Sequence, residues 1–225
     1  MSMDLPAAAD AASRIVFTPS SPSTNAELRA ASTDRPAEWP HLSVLLTDDQ
    51  TAGRGRLDRT WVTPAGTALA ISVLLRSLPS ASTARGWIPL VAGVAMADAV
   101  AAQLPGRHVG VKWPNDVLVD GDKICGILAE ATPDAVIVGA GVNTAMAVED
   151  LPVPTATSIP AHGVEADADR LIADYVRRLG EGIAALAETD DAVASGMFDA
   201  VARRCLTIWQ ALTVSLPGGA QLHGT

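Results

Sequence analysis

Residues 109–130 read VGVKWPNDVLVDGDKICGILAE, and the Asp120-Gly121 pair near their middle predicts a β-hairpin. An Asp-Gly pair tolerates the positive φ angles that a two-residue hairpin turn requires, so a strand is expected on each side of it. Lys123 then stands at the start of the returning strand. It and Lys112 are the only lysines in a chain with fourteen arginines, which indicates a need for a compact ammonium group at this hairpin. The alternative is a pair of ordinary solvated lysines beside a turn.

Composition and charge limit the classes of protein that fit. With 225 residues, 48% of them hydrophobic, the chain can bury the core of one domain. A net charge of -9 and an isoelectric point near 4.8 argue against a general nucleic-acid or anionic-membrane surface, because either partner would be repelled over most of the protein. The N-terminal residues lack the basic and apolar regions of a signal peptide, and we expect no uninterrupted apolar stretch long enough to span a bilayer.

Cysteine usage points to a reduced compartment. The chain has two cysteines, Cys125 and Cys205, and neither has metal-ligand spacing, so we expect no protein-held metal site. Two widely separated cysteines also fit a protein that needs no disulfide. We therefore expect a soluble, cytoplasmic protein.

A second distinctive feature is the arginine loop, residues 50–63, which reads QTAGRGRLDRTWVT and follows an apolar strand. Gly53 and a second glycine let the backbone turn, so that N–H groups and the guanidinium groups of Arg54, Arg56 and Arg59 can converge on an anion. The loop lacks the lysine and the spacing of a P-loop. A solvated or RNA-binding Gly-Arg loop is the alternative.

Polar residues also gather at three other points. Ser23, Thr24 and Asn25 precede a predicted helix, where they could cap its first turn or hydrogen-bond a small polar ligand. Asn115 follows a Trp-Pro pair in the first strand of the hairpin, where proline marks an edge or a bulge. A predicted buried strand at 135–143 carries two glycines that permit close approach of a ligand, but it lacks the third glycine of a dinucleotide fingerprint.

The remaining apolar patterns predict the framework around these motifs. Val193, Met197 and Val201 are expected on the core side of the last helix. A proline-rich connector without periodicity is expected at 151–164, and the chain ends in what reads as the opening of a small β domain. The other predicted elements are strands at 42–47, 68–75 and 212–216 and helices at 86–104, 165–188 and 190–205.

Taken together, these motifs resemble one family, the biotin protein ligases, also called biotin–acetyl-CoA-carboxylase ligases. The resemblance covers residues 14–217, and several motifs in the family's order are far more specific than any one of them alone. The matching segments are Ser23-Thr24-Asn25, 50–56 with Arg59 and Trp61, 112–116, 123–128 with Glu130, 139–143 and 156–158.

The resemblance implies an α+β fold. We expect a mixed β-sheet with helices packed on one side, similar to class II aminoacyl-tRNA synthetases, over residues 1–208. The beginning of a small SH3-like β domain, incomplete in this sequence, is expected at 209–225. Some members of the family carry an N-terminal winged helix-turn-helix that binds DNA. The short segment before Ser23 contains no such unit, so we expect no DNA binding.

The family's reaction gives these residues expected roles. Biotin's carboxylate attacks the α-phosphate of ATP, pyrophosphate leaves, and a lysine of the biotin carboxyl carrier protein domain of an acyl-CoA carboxylase attacks the resulting biotinyl adenylate. Because two anions meet in the first step, fixed cations in a water-shielded site must offset their repulsion. The resemblance implies that Lys123 bridges the carboxylate and the α-phosphate, that Arg54 and Arg56 are further catalytic residues, and that Mg²⁺ accompanies ATP.

Binding residues follow from the same motifs. We expect the arginine loop to be mobile when empty and ordered over ligand, because excluding water protects the reactive anhydride. The expected assembly is a monomer or a weak homodimer that contacts no membrane. The expected biotin-binding residues are Ser23, Thr24, Asn25, Gln50, Gly53, Arg54, Lys123 and Gly126, and the expected ATP-binding residues are Arg56, Arg59, Trp61, Asn115 and Asn143.

Two other functions fit parts of the sequence. A lipoate protein ligase would share the fold and an adenylating lysine, although the GRGR run favours biotin. A non-catalytic module that binds a nucleotide or RNA through the arginine loop would use the guanidinium cluster. The acidic net charge and the lack of interleaved aromatic residues argue against that module.

Overall fold

The computed structural model describes residues 3–57, 59–215 and 220–224. Its helices are α1 (Pro6–Ala11), α2 (Thr24–Asp34), α3 (Ser82–Arg85), α4 (Ile88–Gln103), α5 (Ala168–Thr189) and α6 (Met197–Arg204), with single 3₁₀ turns at Pro36–Glu38, Val148–Asp150 and Pro160–His162. Its strands are β1 (Arg14–Phe17), β2 (Ser43–Thr47), β3 (Gly53–Arg54), β4 (Thr60–Trp61), β5 (Leu69–Leu75), β6 (Val109–Lys112), β7 (Asp116–Val119), β8 (Asp122–Ala131), β9 (Val136–Val142), β10 (Leu212–Ser215) and β11 (Gln221–Gly224).

Seven of these strands form one mixed sheet in the order β1-β2-β5-β9-β8-β7-β6. Only the β1–β2 pair is parallel in this sheet, and the other neighbours are antiparallel. Every residue of β5 is buried, as its unbroken apolar sequence predicted for a strand covered on both faces. The mixed sheet expected from the sequence is confirmed.

The turn at Asp120-Gly121 is confirmed, but the strand before it is not continuous. Asp120 and Gly121 have φ angles of 51° and 100°, and they join β7 to β8. We expected one strand over 109–119. Instead the chain reverses at the cis Trp113-Pro114 bond, so that β6 and β7 pair with each other. Proline has no N–H to donate and cannot continue a central strand, which explains why a third strand is made here.

Helices cover the two faces of the sheet unequally. α1, α4 and α5 contribute to the main core on one face, and α5 buries its predicted apolar stripe from Leu171 to Leu186 there. The expectation of helices on one side holds for these three helices but not for α2. α2 lies on the opposite face, where Leu28 packs with Leu45, Leu74 and Ile137. Because α2 covers only part of that face, the rest remains as the floor of a cavity.

The last helix is shorter than expected. α5 ends at Thr189 and is followed by Asp190, which has a φ of 55°, and α6 begins only after Gly196, with a φ of 76°. Two residues in the left-handed region interrupt the helix predicted over 190–205. Val193 consequently lies outside the helix and is 71% exposed, so its expected place in the core is wrong, whereas Val201 is buried.

Residues 82–103, which contain α3 and α4, are apolar and long enough to pass for a membrane span by length and composition. We expected no uninterrupted apolar stretch of that length, and Arg85 and Asp98 interrupt this one. In the structure α4 packs against β6, β7, β8 and α5, with Met96 and Val100 fully buried in the main core. Core helices of soluble proteins meet the same criterion, so the composition reflects burial in the fold.

The described C-terminal residues form a separate two-stranded antiparallel ribbon of β10 and β11. The turn expected at LPGG, residues 216–219, lies outside the described residues. β10 is confirmed as the strand predicted at 212–216. Two strands do not distinguish an SH3-like domain from other small β domains, so that assignment and the boundary at 208 remain predictions.

Candidate functional site

A cavity of about 480 Å³ opens on the sheet face that α2 only partly covers. Its floor is formed by β5, β8 and β9, and its inner end by the first residues of α2. Its mouth is surrounded by the arginine loop, by the turn at 113–115, and by Thr207, Leu212, Thr213 and Val214. Of the residues expected to bind ligand, those that line the cavity are Ser23, Thr24, Asn25, Gln50, Arg54, Arg56, Arg59, Trp61, Asn115, Lys123 and Gly126.

The inner end of the cavity holds uncharged polar groups that are already oriented. Ser23 caps α2 by accepting a hydrogen bond from the Ala26 N–H. The backbone N–H and the hydroxyl of Thr24 both donate to Oε1 of Gln50, at 2.9 and 3.1 Å. This arrangement leaves Nε2 of Gln50 as a donor for a ligand. The cap and the ligand-binding role weighed for these residues are therefore compatible.

Asn25 stands beside Thr24, but its amide is occupied by protein groups. Its Oδ1 lies 2.6 Å from the Ser72 hydroxyl, and its Nδ2 donates to the Leu128 carbonyl and to Oε2 of Glu130 at 3.2 and 2.8 Å. Both ends of the amide are thus used in connecting α2 to β5 and β8. These contacts are typical of a residue that positions its neighbours.

Close approach to the sheet is possible at two glycines. A Cβ at Gly126 would lie 3.3 Å from Nζ of Lys123, and one at Gly141 would lie 2.7 Å from the indole ring of Trp61. Neither glycine has a positive φ, so space explains the residue type at both positions. Gly126 makes room for the lysine head, and Gly141 provides the surface on which Trp61 lies.

Lys123 lies at the cavity wall with a fixed backbone. Its N–H donates to the Thr155 carbonyl and its carbonyl accepts from the Thr157 N–H, both at 2.8 Å. The connector predicted to be irregular therefore pairs with the start of β8, opposite β7. The side chain is 44% exposed, and its ammonium group forms an ion pair with Oδ1 of Asp116 at 2.7 Å. A partly exposed ammonium group on a hydrogen-bonded backbone can meet an anion that enters the cavity.

The arginine loop is folded against the cavity mouth. β3 and β4 form its base, where Gly53 pairs with Trp61. Arg54 pairs with Glu130 on β8, and Nη1 of Arg56 donates to Oδ1 of Asn115 at 2.9 Å across the mouth. The loop therefore has a defined closed position in the structure, and the expected difference in its mobility between empty and bound protein remains a prediction.

Two of the expected site residues lie beside the cavity and not on its wall. Gly53 is buried at the base of the arginine loop, where a Cβ would overlap the Trp61 carbonyl and the Gln50 amide. Nδ2 of Asn143 donates to the Thr157 carbonyl at 2.8 Å, and the Asn143 N–H donates to the Ile124 carbonyl at 3.0 Å. In this arrangement Asn143 supports the connector that holds Lys123.

Cys125 is unsuited to act as a nucleophile despite its place beside Lys123. The side chain is buried in the main core, on the face of β8 opposite to the cavity. Burial raises the pKa of the Cys125 thiol far above its usual value, with the charge of Lys123 only a smaller opposing effect. The thiolate is the reactive form of cysteine, so chemistry at this site rests on the cations and on the bound molecules.

Several residues of the site were not identified from the sequence. Thr207 and the residues Leu212, Thr213 and Val214 line the mouth, although they are far from the motifs in the chain. Ser72 connects Thr24 to Asn25 from within β5. It is the one polar residue in an otherwise apolar strand, and that interruption was a signal for it. The others depend on the tertiary fold.

The cavity combines a neutral polar end with a cationic mouth. A ligand that fits it would place a neutral hydrogen-bonding group near Thr24 and Gln50 and an anionic group near Lys123. Arg54, Arg56 and Arg59 of the loop line the same cavity. Such a distribution suits a reaction between two anions, because fixed cations offset their repulsion where water is partly excluded.

Proteins with similar sequences are ligases that act with biotin or belong to the biotin/lipoate ligase family. A family model described as the biotin/lipoate A/B protein ligase family matches residues 17–143. A biotin–[acetyl-CoA-carboxylase] ligase from Mycobacterium tuberculosis is 38% identical over 207 residues, which cover 90% of this chain and 74% of that protein. The bifunctional ligase/repressor BirA of Escherichia coli is 36% identical over 153 residues, covering 65% of this chain and 47% of BirA.

Solved structures of similar proteins share the fold. A biotin protein ligase from Aquifex aeolicus in complex with biotin and ATP has a TM-score of 0.73 and 25% identity, covering 94% of this chain and 86% of that one. A biotin protein ligase from Leishmania major in complex with biotin has a TM-score of 0.70 and 26% identity, covering 92% and 87% of the two chains. The expected fold, related to class II aminoacyl-tRNA synthetases, is confirmed by these neighbours.

Proposed function

The chain belongs to the biotin/lipoate A/B protein ligase family, and from that premise we propose that it activates biotin with ATP and transfers it to a carrier-protein lysine. The biotin carboxylate attacks the α-phosphate of ATP, pyrophosphate leaves, and biotinyl adenylate remains in the cavity. The lysine amine of a biotin carboxyl carrier protein then attacks the acyl carbon, and AMP leaves. The observation that carries the proposal is the ammonium group of Lys123, at the wall between the neutral inner end of the cavity and its arginine loop.

The inner end of the cavity suits the ureido ring of biotin. A ureido oxygen needs donors and the ureido N–H groups need acceptors. Nε2 of Gln50 can donate to the oxygen, because its Oε1 is already engaged by Thr24. The hydroxyl groups of Ser23 and Thr24 are close enough to the same end to complete the set. Gly126 leaves space for the rest of the ligand to lie along β8.

The adenylation step uses the cations at the mouth. With the ureido ring at the inner end, the biotin carboxylate extends toward Lys123, whose ammonium group leaves Asp116 to bridge the carboxylate and the α-phosphate. Arg56 and Arg59 close over the β- and γ-phosphates and stabilise the charge on departing pyrophosphate. Binding both reactants in one cavity also makes the step effectively unimolecular, because the two anions no longer have to meet by diffusion.

The nucleotide base belongs at the outer part of the cavity. Trp61 lies against Gly141 and offers its indole ring for stacking on adenine. The side-chain oxygen of Asn115 accepts a hydrogen bond from Arg56, so Asn115 lies where it can orient the arginine that is proposed to bind the phosphates. Asn143 contributes to nucleotide binding in this proposal mainly by supporting residues 155–157 beside Lys123.

Mg²⁺ enters the proposal as a partner of the phosphates. Among the described residues no group of three His, Cys, Asp or Glu side chains could hold a metal ion. Asp116 is the one carboxylate in the described part of the cavity wall. Mg²⁺ commonly binds through one or two carboxylates together with substrate phosphates, so these residues fit an ion that arrives with ATP. There it would neutralise phosphate charge.

The test is isotope exchange between ATP and pyrophosphate in the purified chain, with biotin, lipoate or neither added. Exchange requires reversible formation of an acyl adenylate, so it does not depend on the identity of the carrier protein. The proposal predicts exchange with biotin and at least about tenfold less with lipoate, since polar groups that match a ureido ring would be left unpaired. Lipoate-dependent exchange would assign the other activity of the family, and ATP or RNA binding without exchange would indicate a binding module.

A further inference from the structure

Glu130 collects three polar side chains at the edge of the cavity. Its Oε1 lies 2.6 Å from Nη2 of Arg29 and 3.0 Å from Nη2 of Arg54, and its Oε2 accepts from Nδ2 of Asn25 at 2.8 Å. The Glu130 side chain is only 18% exposed. A carboxylate that is mostly removed from water needs such partners, because an unpaired charge there is costly.

The three partners of Glu130 come from two different parts of the fold. Asn25 and Arg29 belong to α2, which packs on the sheet, whereas Arg54 belongs to the arginine loop. Ser72 hydrogen-bonds Asn25 from below. The framework therefore orients the Glu130 carboxylate independently of the loop, and the loop adds one guanidinium to a prepared acceptor.

The same contact restricts what Arg54 can do. Nη2 of Arg54 lies 3.0 and 3.2 Å from the two oxygens of Glu130, so its guanidinium faces the edge of β8. Arg56, two residues later, reaches across the mouth to Asn115. The two arginines thus have different partners. Arg54 pairs with an acidic residue of the protein, and Arg56 donates to an amide at the place where phosphates are proposed to bind.

We propose that Glu130 is a positioning residue that receives Arg54 and so fixes the arginine loop over the cavity. This inference rests on the proposed function and refines it. Arg54 is an anchor of the loop in this account, whereas the sequence led us to expect a direct contact between Arg54 and biotin. Arg56 and Arg59 remain the arginines available to the phosphates. Glu130 acts only through Arg54 and does not touch the reactants.

A double-mutant cycle on biotin-dependent ATP–pyrophosphate exchange tests the coupling. The variants are Arg54→Gln, Glu130→Gln and the double variant. Glutamine at 130 keeps the shape of the side chain but only one of its two acceptor oxygens, so one framework contact, to Asn25 or to Arg29, is lost together with the charge. If the two residues act through each other, each single change lowers kcat/KM by about tenfold and the double variant is no worse than either single one. Losses that multiply to about a hundredfold, or a much larger loss in Arg54→Gln alone, would overturn the inference.

Glu38→Gln provides a matched control. Glu38 also pairs with two arginines, Arg14 and Arg35, but it lies away from the cavity. Its change should leave kcat/KM within about twofold of the wild type, because exposed ion pairs contribute little. A loss equal to that of Glu130→Gln would mean that a general loss of ion pairs explains the result.

Hydrogen exchange in the ligand-free protein gives a readout that needs no activity. Amides of residues 53–57 and 59–61 should exchange about threefold to tenfold faster in Glu130→Gln and in Arg54→Gln, and at the wild-type rate in Glu38→Gln. Unchanged exchange of the loop in Glu130→Gln contradicts the inference even if the wild type is active. A wild type without biotin-dependent exchange overturns the proposed function instead, while the loop measurement still decides the anchoring role.

Discussion

The ammonium nitrogen of Lys123 lies 2.7 Å from Oδ1 of Asp116, which is on the neighbouring strand β7. The pair lies above Gly126, where a Cβ would crowd the lysine head. Asp116 thereby holds the charged lysine at the wall of the cavity until an anion competes for it. A partly exposed pair of this kind is weak enough to be exchanged for two substrate oxygens.

Replacing the partner of Lys123 should impair chemistry more than binding. In Asp116→Asn the ammonium group loses its fixed direction, so we expect kcat for biotin-dependent pyrophosphate exchange to fall by about tenfold or more. KM for biotin should change by less than about threefold, because the inner end of the cavity is unaffected. Steady-state exchange kinetics measure both values. A large rise in KM for biotin with an unchanged kcat would contradict this role.

Removal of the Thr24 hydroxyl should have the opposite signature. Thr24→Val keeps the shape of the side chain but leaves Gln50 and Ser72 with fewer partners in a buried network. Loss of one partner from such a network costs about 1–3 kcal/mol. We expect KM for biotin to rise by about tenfold or more and KM for ATP to stay near its original value. Equal increases in both would indicate general damage to the cavity.

Crowding Trp61 should weaken nucleotide binding. A Cβ in Gly141→Ala would lie 2.7 Å from the indole ring, so the ring must move away from β9. Such overpacking usually costs about 1–3 kcal/mol. We expect a lower unfolding midpoint and a raised KM for ATP in exchange assays. Gly55→Ala is the comparison for stability, because its Cβ would make ordinary contacts of 3.4 Å or more, and its midpoint should stay close to that of the wild type.

The hairpin turn should contribute to stability in a pH-dependent way. The backbone N–H of His108 donates to Oδ1 of Asp120, and this bond, aided by Arg107, holds the pKa of the Asp120 carboxyl below its usual value of 3.8. A carboxyl whose pKa is lower in the folded state stabilises the protein above its unfolded pKa, and this stabilisation is lost as pH falls through the folded pKa.

Asp120→Asn should therefore lower the free energy of unfolding at pH 7, and this difference should shrink as pH falls through the folded-state pKa of the wild-type carboxyl. Asparagine tolerates the φ of 51° at this position, so the turn itself is kept. Urea titrations at several pH values measure the difference. A difference that is equally large at pH 7 and pH 2 would show that the charge of Asp120 is not its cause.

Local chemistry explains which parts could be predicted from the sequence. The Asp120-Gly121 turn, the cap at Ser23 and the buried strand β5 each depend on residues close in the chain. The residues expected around one ligand also meet, with few exceptions, because their motifs lie at the ends of neighbouring strands and at one helix start. The structure places them around a single cavity.

Features that depend on distant partners could not be predicted in the same way. Arg54 is separated by 76 positions from Glu130, and nothing near Arg54 in the chain indicates which way its guanidinium points. The contacts of Asn143 depend on a connector without periodicity. From the sequence, Pro114 indicated only that the strand is interrupted. Proline does not determine the direction of the chain after the break, so the reversal at Trp113-Pro114 could not be predicted.

The most direct test of the account is biotin-dependent ATP–pyrophosphate exchange in Lys123→Ala and Lys123→Arg, with thermal unfolding measured in parallel. We predict that Lys123→Ala loses about a hundredfold or more of the exchange rate, and that arginine restores little of it because a planar guanidinium does not replace a compact ammonium group. Both variants should unfold close to the wild-type temperature, since the side chain is 44% exposed. A folded Lys123→Ala protein that retains exchange within about threefold of the wild type would contradict the central role of this lysine.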